Sequence, residues 1–250
     1  MMAIYSYDGT FMGLMSLIGF LEDKQINPVA ICDKNDLVTD LFEEQEDIKT
    51  DEKRARELIG RIVDHICEPA FDRIVYGFLS QINGFEMAIF NYLHLGLTAG
   101  ENVERLAGDR RVAPLRRLSL RVGREVHRLK GFVRFAQLAD GVYYAQIRPD
   151  HDVLPLLAPH FVQRFADQHW VLHDLNRSRA AMYDTHQCEI VILAAADSLC
   201  FAENESHFRD SWRRYFQTIA IAERKNRRLQ QQFMPRRYWP YLTEMAERVR

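Results

Sequence analysis

The spacing of apolar residues changes once along this chain, and that change restricts what it can fold into. From Asp51 to about Leu106 they recur every three or four positions. Leu58, Ile59, Ile62, Val63 and Ile66 make one helical face; Phe71, Ile74, Val75, Phe78 and Leu79 make another after Pro69. A third apolar segment runs from Phe85 to Leu97, after Asn83-Gly84. Beyond Gly131 the period drops to two. GFVRFAQLADGVYYAQIRPD alternates apolar and polar residues around Ala139-Asp140-Gly141, and Asp-Gly accepts the positive φ of a tight hairpin turn. WVLHD, RAAMYD and EIVIL follow as three more strand-like strings, joined by Leu175-Asn176-Arg177 and Thr185-His186-Gln187. A short helix is expected between about Val153 and Phe165. The class is therefore α+β: a helical N-terminal part, a central, mostly antiparallel sheet of about five strands, and C-terminal helices packed on it.

The ends fill in the plan. AIYSY reads as a short strand, and Phe11, Leu14, Met15, Ile18 and Leu21 as a helix capped by Thr10 or Asp8. PVAIC and DLFEE are candidate strands in the acidic stretch that follows. Phe208, Trp212, Tyr215, Ile219 and Ala222 keep a 4-3-4-3 spacing near the C-terminus, before a Pro-broken tail, QQFMPRRYWPYL. Residues 1–110 form a mainly helical acidic part with a short first strand and 111–250 a basic α+β part, expected to make one compact unit.

Charge sharpens this division. The net charge of the 250 residues is only -2. Residues 1–100 nonetheless carry 8 Lys+Arg against 17 Asp+Glu, and the remainder 25 against 18. Between Arg105 and Arg134, nine Arg and Lys130 meet only Asp109 and Glu125. Such asymmetry points to a polyanionic partner. Other classes drop out. No apolar run approaches the roughly 18 residues of a membrane helix, and Asp8 without a basic flank argues against a secretory leader. Cys32, Cys67, Cys188 and Cys200 fit no zinc-finger, iron–sulfur or C-x-x-C spacing and read as reduced thiols of a cytoplasmic protein. No nucleotide-binding glycine loop or nucleophile elbow occurs, so no cofactor is expected, and the Cys and His spacings assign no metal.

Three groups could carry function. A helix over Pro114–Lys130 puts Leu115, Leu118, Val122, Val126 and Leu129 on one stripe and Arg117, Arg121, Arg124 and Arg128 on nearly the opposite one. Guanidinium forks at this pitch can follow phosphates, or else pair with the acidic first part. Near the C-terminus, Arg227, Arg228, Arg236 and Arg237 interleave with Phe233, Tyr238, Trp239 and Tyr241. That pattern fits either base stacking, with Arg236 and Arg237 at a rim, or an aromatic anchor for the terminus. Third, Asp150-His151-Asp152, followed by His160 and His173-Asp174, could supply a general base, with His127 in support; the Asp residues could equally hold a divalent metal that activates water, or one of them cap a helix. His169-x-x-x-His173 lies in a strand pattern, which disfavours zinc.

Several strings taken together resemble a family of uncharacterised bacterial proteins described as DNA metabolism proteins. They are Tyr7-Asp8-Gly9-Thr10-Phe11 with Gly13-Leu14, the run His127 to Phe135, Pro149 to Pro155, His160-Phe161 with Arg164-Phe165, Trp170 with His173-Asp174, and Met234 to Trp239. The resemblance implies a DNA setting: a genomic companion of a radical SAM protein of DNA modification or repair, sometimes fused behind a uracil-DNA glycosylase-like domain. It implies no catalytic residues. The expectation is a DNA-associated protein of modification or repair that binds nucleic acid through Arg117, Arg121, Arg124, Arg128, Lys130, Arg134, Arg236 and Arg237 and acts with a radical SAM partner. Whether it is an enzyme, through His151, Asp150, Asp152 and His127, stays open. The alternative is a non-catalytic protein adaptor without direct DNA contact.

Overall fold

Asp8 stands where the first strand ends and the first helix begins, and its carboxylate joins them. Thr10 donates to Asp8 through both its backbone N–H (3.0 Å) and its hydroxyl (2.7 Å), while the same hydroxyl accepts the N–H of Gly13 (2.9 Å) as the helix N-cap. Thr50, ahead of a later helix, donates to the other Asp8 oxygen at 2.7 Å. The computed structural model describes residues 3–35, 44–194, 199–221 and 226–245. It contains two compact units, residues 1–123 and 124–250.

The first unit holds β1 (Ala3–Tyr7), α1 (Phe11–Asp23), β2 (Ala30–Asp33), β3 (Glu44–Asp47), α2 (Glu52–Arg61), a π-helical turn (Ile62–Ile66), α3 (Glu68–Leu79), α4 (Phe85–Ala99) and a 3-10 turn (Gly100–Arg105). The strands form a parallel sheet in the order β2-β1-β3. The strand expected from DLFEE starts only at Glu44; Asp40–Glu43 lie outside the described residues. Leu14, Leu17, Ile18 and Leu21 of α1 are fully buried and lead one core that also takes in Leu58, Ile62, Ile74, Ile89 and Leu93. Glu104, in the 3-10 turn, is half-buried. Glu104 accepts from Arg73 (Nε, 3.0 Å) and from the Tyr92 hydroxyl (2.6 Å). Burial alone would raise the Glu104 carboxyl, but these donors outweigh it and hold it below its usual value.

Helix α5 (Ala113–Phe132) gives its first half to this unit and its second half to the next. The second unit continues with β4 (Ala136–Gln137), β5 (Tyr143–Ile147), α6 (Leu154–Arg164), β6 (Trp170–Asp174), β7 (Arg179–Tyr183), β8 (Cys188–Ile192), α7 (Glu205–Ile219), α8 (Arg227–Phe233) and a 3-10 turn (Arg236–Tyr241). Its sheet runs β4-β5-β6-β7-β8, antiparallel throughout except for the β5–β6 pair, which α6 connects. The Asp-Gly turn forms: Gly141 has φ +91, and Asp140 accepts the N–H of Val142 at 3.1 Å. The register places Tyr143, Ala145 and Ile147 beside Trp170, Leu172 and Asp174 on one face, against which α6 packs, and Gln146 beside His173 on the other.

The α7 stripe did not become core. Phe208, Tyr215 and Ile219 are more than half exposed, and Trp212 is 38% exposed; Ala222 lies outside the described residues. No helix among the described residues is long and apolar enough to cross a membrane.

Asp8 makes one prediction. Burial raises its carboxyl less than the Thr50 and Thr10 hydrogen bonds lower it, so its folded pKa is depressed. The stabilisation is complete above about pH 4, the unfolded value, and is lost as pH falls through the folded one. Thermal midpoints of wild type and Asp8→Asn should therefore differ at neutral pH and converge on acidification. A gap that persists at low pH removes the charged Asp8 from this account.

Candidate nucleic-acid interface

Helix α5 shows how the chain treats its densest charge. Leu115, Val122, Val126 and Leu129 are at most 4% exposed. On the opposite side Arg117, Arg121 and Arg124 are exposed and Arg128 half-buried. Eleven residues at about 1.5 Å rise spread them over roughly 17 Å. Other arginines of the chain have carboxylate partners: Arg73 has Glu104, Arg111 has Asp109 and Arg134 has Glu244. Among the described residues Arg117, Arg121, Arg124 and Arg128 form no ion pair. Arg117 and Arg121 belong to the first unit, Arg124 and Arg128 to the second.

The Asp150-His151-Asp152 segment has a different surrounding. Glu125, on the buried side of α5 and only 2% exposed, accepts the backbone N–H of Asp150 (3.1 Å) and of His151 (3.0 Å). It also accepts the Tyr238 hydroxyl (2.6 Å) and Arg237 Nη2 (3.0 Å). Arg237 reaches Asp150 as well, at 2.6 Å, and lies over the Tyr238 ring, 4.7 Å from its centroid. Asp152 is paired with Arg179 at 2.6 Å, while its other oxygen is buried without a partner. Arg177 holds the fully buried Asp174 (3.2 Å) and the Asp150 carbonyl (2.9 Å). Burial raises the Asp174 carboxyl more than these donors lower it. His151 is 7% exposed. The segment is therefore a hydrogen-bonded corner ahead of α6, and its carboxylates do not cap that helix by side-chain hydrogen bonds.

The other histidines divide between core and surface. His173 is buried; its Nε2 faces the carbonyl of Leu193 (3.0 Å), which can only accept, so Nε2 donates, while Nδ1 lies 2.7 Å from the Tyr144 hydroxyl. His127 is exposed on α5 and makes no hydrogen bond to the Asp150–Asp152 segment among the described residues. No group of three or more His, Cys, Asp or Glu among the described residues is placed to hold a metal.

Two basic candidates turn out to be engaged within the protein. Tyr238 is buried and Arg237 belongs to the Glu125 corner, as the anchor reading of the terminus expects. Arg236 remains exposed and lies over Trp239, 5.7 Å from the ring centroid. Arg134 is paired with Glu244 at 2.7 Å and stacks on Trp212 at 5.1 Å. The Glu244 carboxyl, which burial would raise, is held below its usual value chiefly by that arginine. Arg224 and Lys225, at the start of the basic tail, lie outside the described residues.

Arg134 and Lys130 also border a cavity of about 600 Å³ that sequence reasoning did not foresee. Phe135, Phe161, Phe165 and Trp170 build its wall, with Trp212 and Tyr143 beside them. Phe161 and Phe165 lie on successive turns of α6 and its C-terminus, their rings nearly parallel (3°), and Phe135 meets both edge-on at 5.3 and 5.4 Å. The i,i+4 pair Phe161/Phe165 beside Arg164 was visible in the sequence. Its convergence with Phe135 and Trp170 from other elements was not.

Residues 83–244 match a family model described as a domain of unknown function, DUF4130. No curated protein matches the chain, and no solved structure does.

The corner yields a stability prediction. Glu125→Leu leaves two backbone N–H groups and a tyrosine hydroxyl buried without an acceptor, and should cost about 3–5 kcal/mol. Tyr238→Phe, which removes one donor, should cost about 1–3 kcal/mol. Urea unfolding measures both. Equal costs for the two variants would contradict the convergence of four donors on one carboxylate.

Proposed function

This chain belongs to the DUF4130 family, and we propose that it is a nucleic-acid-binding protein of a DNA modification or repair pathway, meeting DNA through the arginine face of α5 and acting with a radical SAM partner. The observation that carries the DNA contact is the set of Arg117, Arg121, Arg124 and Arg128, which present four permanent charges without an ion pair among the described residues. A helix surface held for solubility normally mixes signs and gains from i,i+4 pairing; this one forgoes that gain. Phosphate oxygens at the spacing of a nucleic-acid strand supply the missing counter-charge bidentately. The pathway and the radical SAM partner come from the resemblance of the sequence strings. The reading is one of binding, and no reaction is assigned.

A second reading, the protein adaptor, has its own support in α7, whose exposed Phe208, Trp212, Tyr215 and Ile219 offer an apolar stripe of the kind a partner protein covers.

Salt-dependent binding separates the two. Arg117, Arg121, Arg124 and Arg128 changed together to Gln should weaken binding of a DNA oligonucleotide and reduce the slope of log K against log salt by about 3. The pairs Arg117/Arg121 and Arg124/Arg128 should each account for about half of that change. Phe208→Ser with Tyr215→Ser should leave DNA affinity unchanged. Should the arginine variants bind DNA as wild type does while the α7 variant abolishes association with a radical SAM companion, the adaptor reading replaces the first.

A further inference from the structure

The aromatic cavity of the second unit has a composition that the phosphate-contacting helix face does not explain. Its volume of about 600 Å³ falls within the roughly 300–1,000 Å³ typical of small-ligand sites. Its walls are rings, and Phe135, Phe165 and Tyr143 are only half-buried where they border it. Trp212 is more open still. Water gains little from such surfaces, whereas a flat π-system can stack on them.

Two cations, Lys130 and Arg164, stand among the lining residues, exposed and without an ion pair among the described residues. Both act on the neighbouring His160: burial first, and then their charges, push its imidazole below the usual value. Arg164 also lies over Phe165, 5.7 Å from the ring centroid. Arg134, by contrast, is occupied by Glu244 and serves as a platform on Trp212. Other polar groups line it too. Asp167 and Gln168 offer a carboxylate and an amide, and Trp170, part of the wall, has a buried indole N–H without an acceptor. Rings to stack on, hydrogen-bonding groups and two cations outside any ion pair among the described residues together match one ligand chemistry: an aromatic heterocycle carrying an anion.

We propose that this cavity receives a single unstacked nucleobase of a DNA strand, its rings against Phe135, Phe165 and Trp212 and the adjoining phosphate held by Lys130 and Arg164. The proposal rests on the nucleic-acid reading above for the source of its ligand. A base inside a duplex cannot enter, so the site selects a single-stranded, terminal or extruded nucleotide.

The test uses the intact protein and separates this proposal from the α5 reading. The four deoxynucleoside 5′-monophosphates are titrated by calorimetry, with deoxyribose 5-phosphate and inorganic phosphate as baseless controls. Saturable binding is expected for the nucleotides and at least tenfold weaker binding for the controls. Phe165→Ala and Arg164→Gln should each weaken nucleotide binding by about tenfold, the scale of one stacked base. Arg164 is exposed, so its variant should leave folding intact even if Phe165→Ala does not. In a single-stranded oligonucleotide, one abasic position should lower affinity, with no change in salt slope. Nucleotides that bind no better than deoxyribose 5-phosphate, or binding untouched by Arg164→Gln, would overturn the cavity assignment. Loss of oligonucleotide affinity in the α5 variants would still support the helix reading in that event. Nucleotide binding that survives while the α5 variants bind DNA normally would leave the cavity standing and remove the helix.

Discussion

The second unit is organised around a carboxylate that has almost no access to water. Glu125 sits on the buried side of α5, and four donors from two distant stretches of chain converge on it: two backbone N–H groups of the Asp150-His151 corner, and the Tyr238 hydroxyl and Arg237 guanidinium near the C-terminus. An isolated buried carboxylate would be costly. Donors at 2.6–3.1 Å convert that cost into specificity, because only one arrangement of α5, the corner and the terminal turn satisfies them all. The geometry also explains why an Asp-His-Asp string that looks like a general base has a structural role to fill. Its backbone serves Glu125, and its carboxylates are taken by Arg237 and Arg179.

The same helix shows how charge is apportioned. Its one acidic residue is buried with partners, while its outer arginines go without them among the described residues. Two carboxylates of the first unit are committed to other arginines, Glu104 to Arg73 and Asp109 to Arg111. The Arg111 hydrogen bonds pull the Asp109 carboxyl down to about 2, so this partner stays ionised throughout the neutral range. The total charge of -2 conceals this cationic face.

Much of the fold was legible because periodicity is a local signal. The helical faces around Leu58, Ile74 and Leu93 and the Asp140-Gly141 hairpin were set by residues within a few positions of one another. Expectation and structure part where a long-range contact decides. The alternation from Gly131 suggested a long first strand, but α5 continues to Phe132 and β4 shrinks to Ala136–Gln137. The α7 stripe had the spacing of a core helix, and spacing alone cannot say whether a partner surface exists within the chain. For the candidate site, the arginine row could be read in full because one helix carries it. The cavity could not, because Phe135, Phe165, Trp170 and Trp212 come from four separate segments.

Helix α6 explains why chemistry expected in one place is divided between two. The Asp150–Asp152 corner precedes its first residue, Leu154, whereas Phe161, Arg164 and Phe165 occupy its last turn and C-terminus. Eleven residues at about 1.5 Å put the two ends roughly 16 Å apart. The sheet repeats this separation: Asp174 lies in register with Ile147 at one end of its face, and Trp170 with Tyr143 at the other. Carboxylates and their arginine partners therefore gather at one end, and aromatic rings with unpaired cations at the other. At the first end most polar groups find partners within the chain, one buried oxygen of Asp152 excepted. The unmet Trp170 N–H, open rings and two cations without an ion pair among the described residues collect around the cavity, and there a ligand has the most to gain by binding.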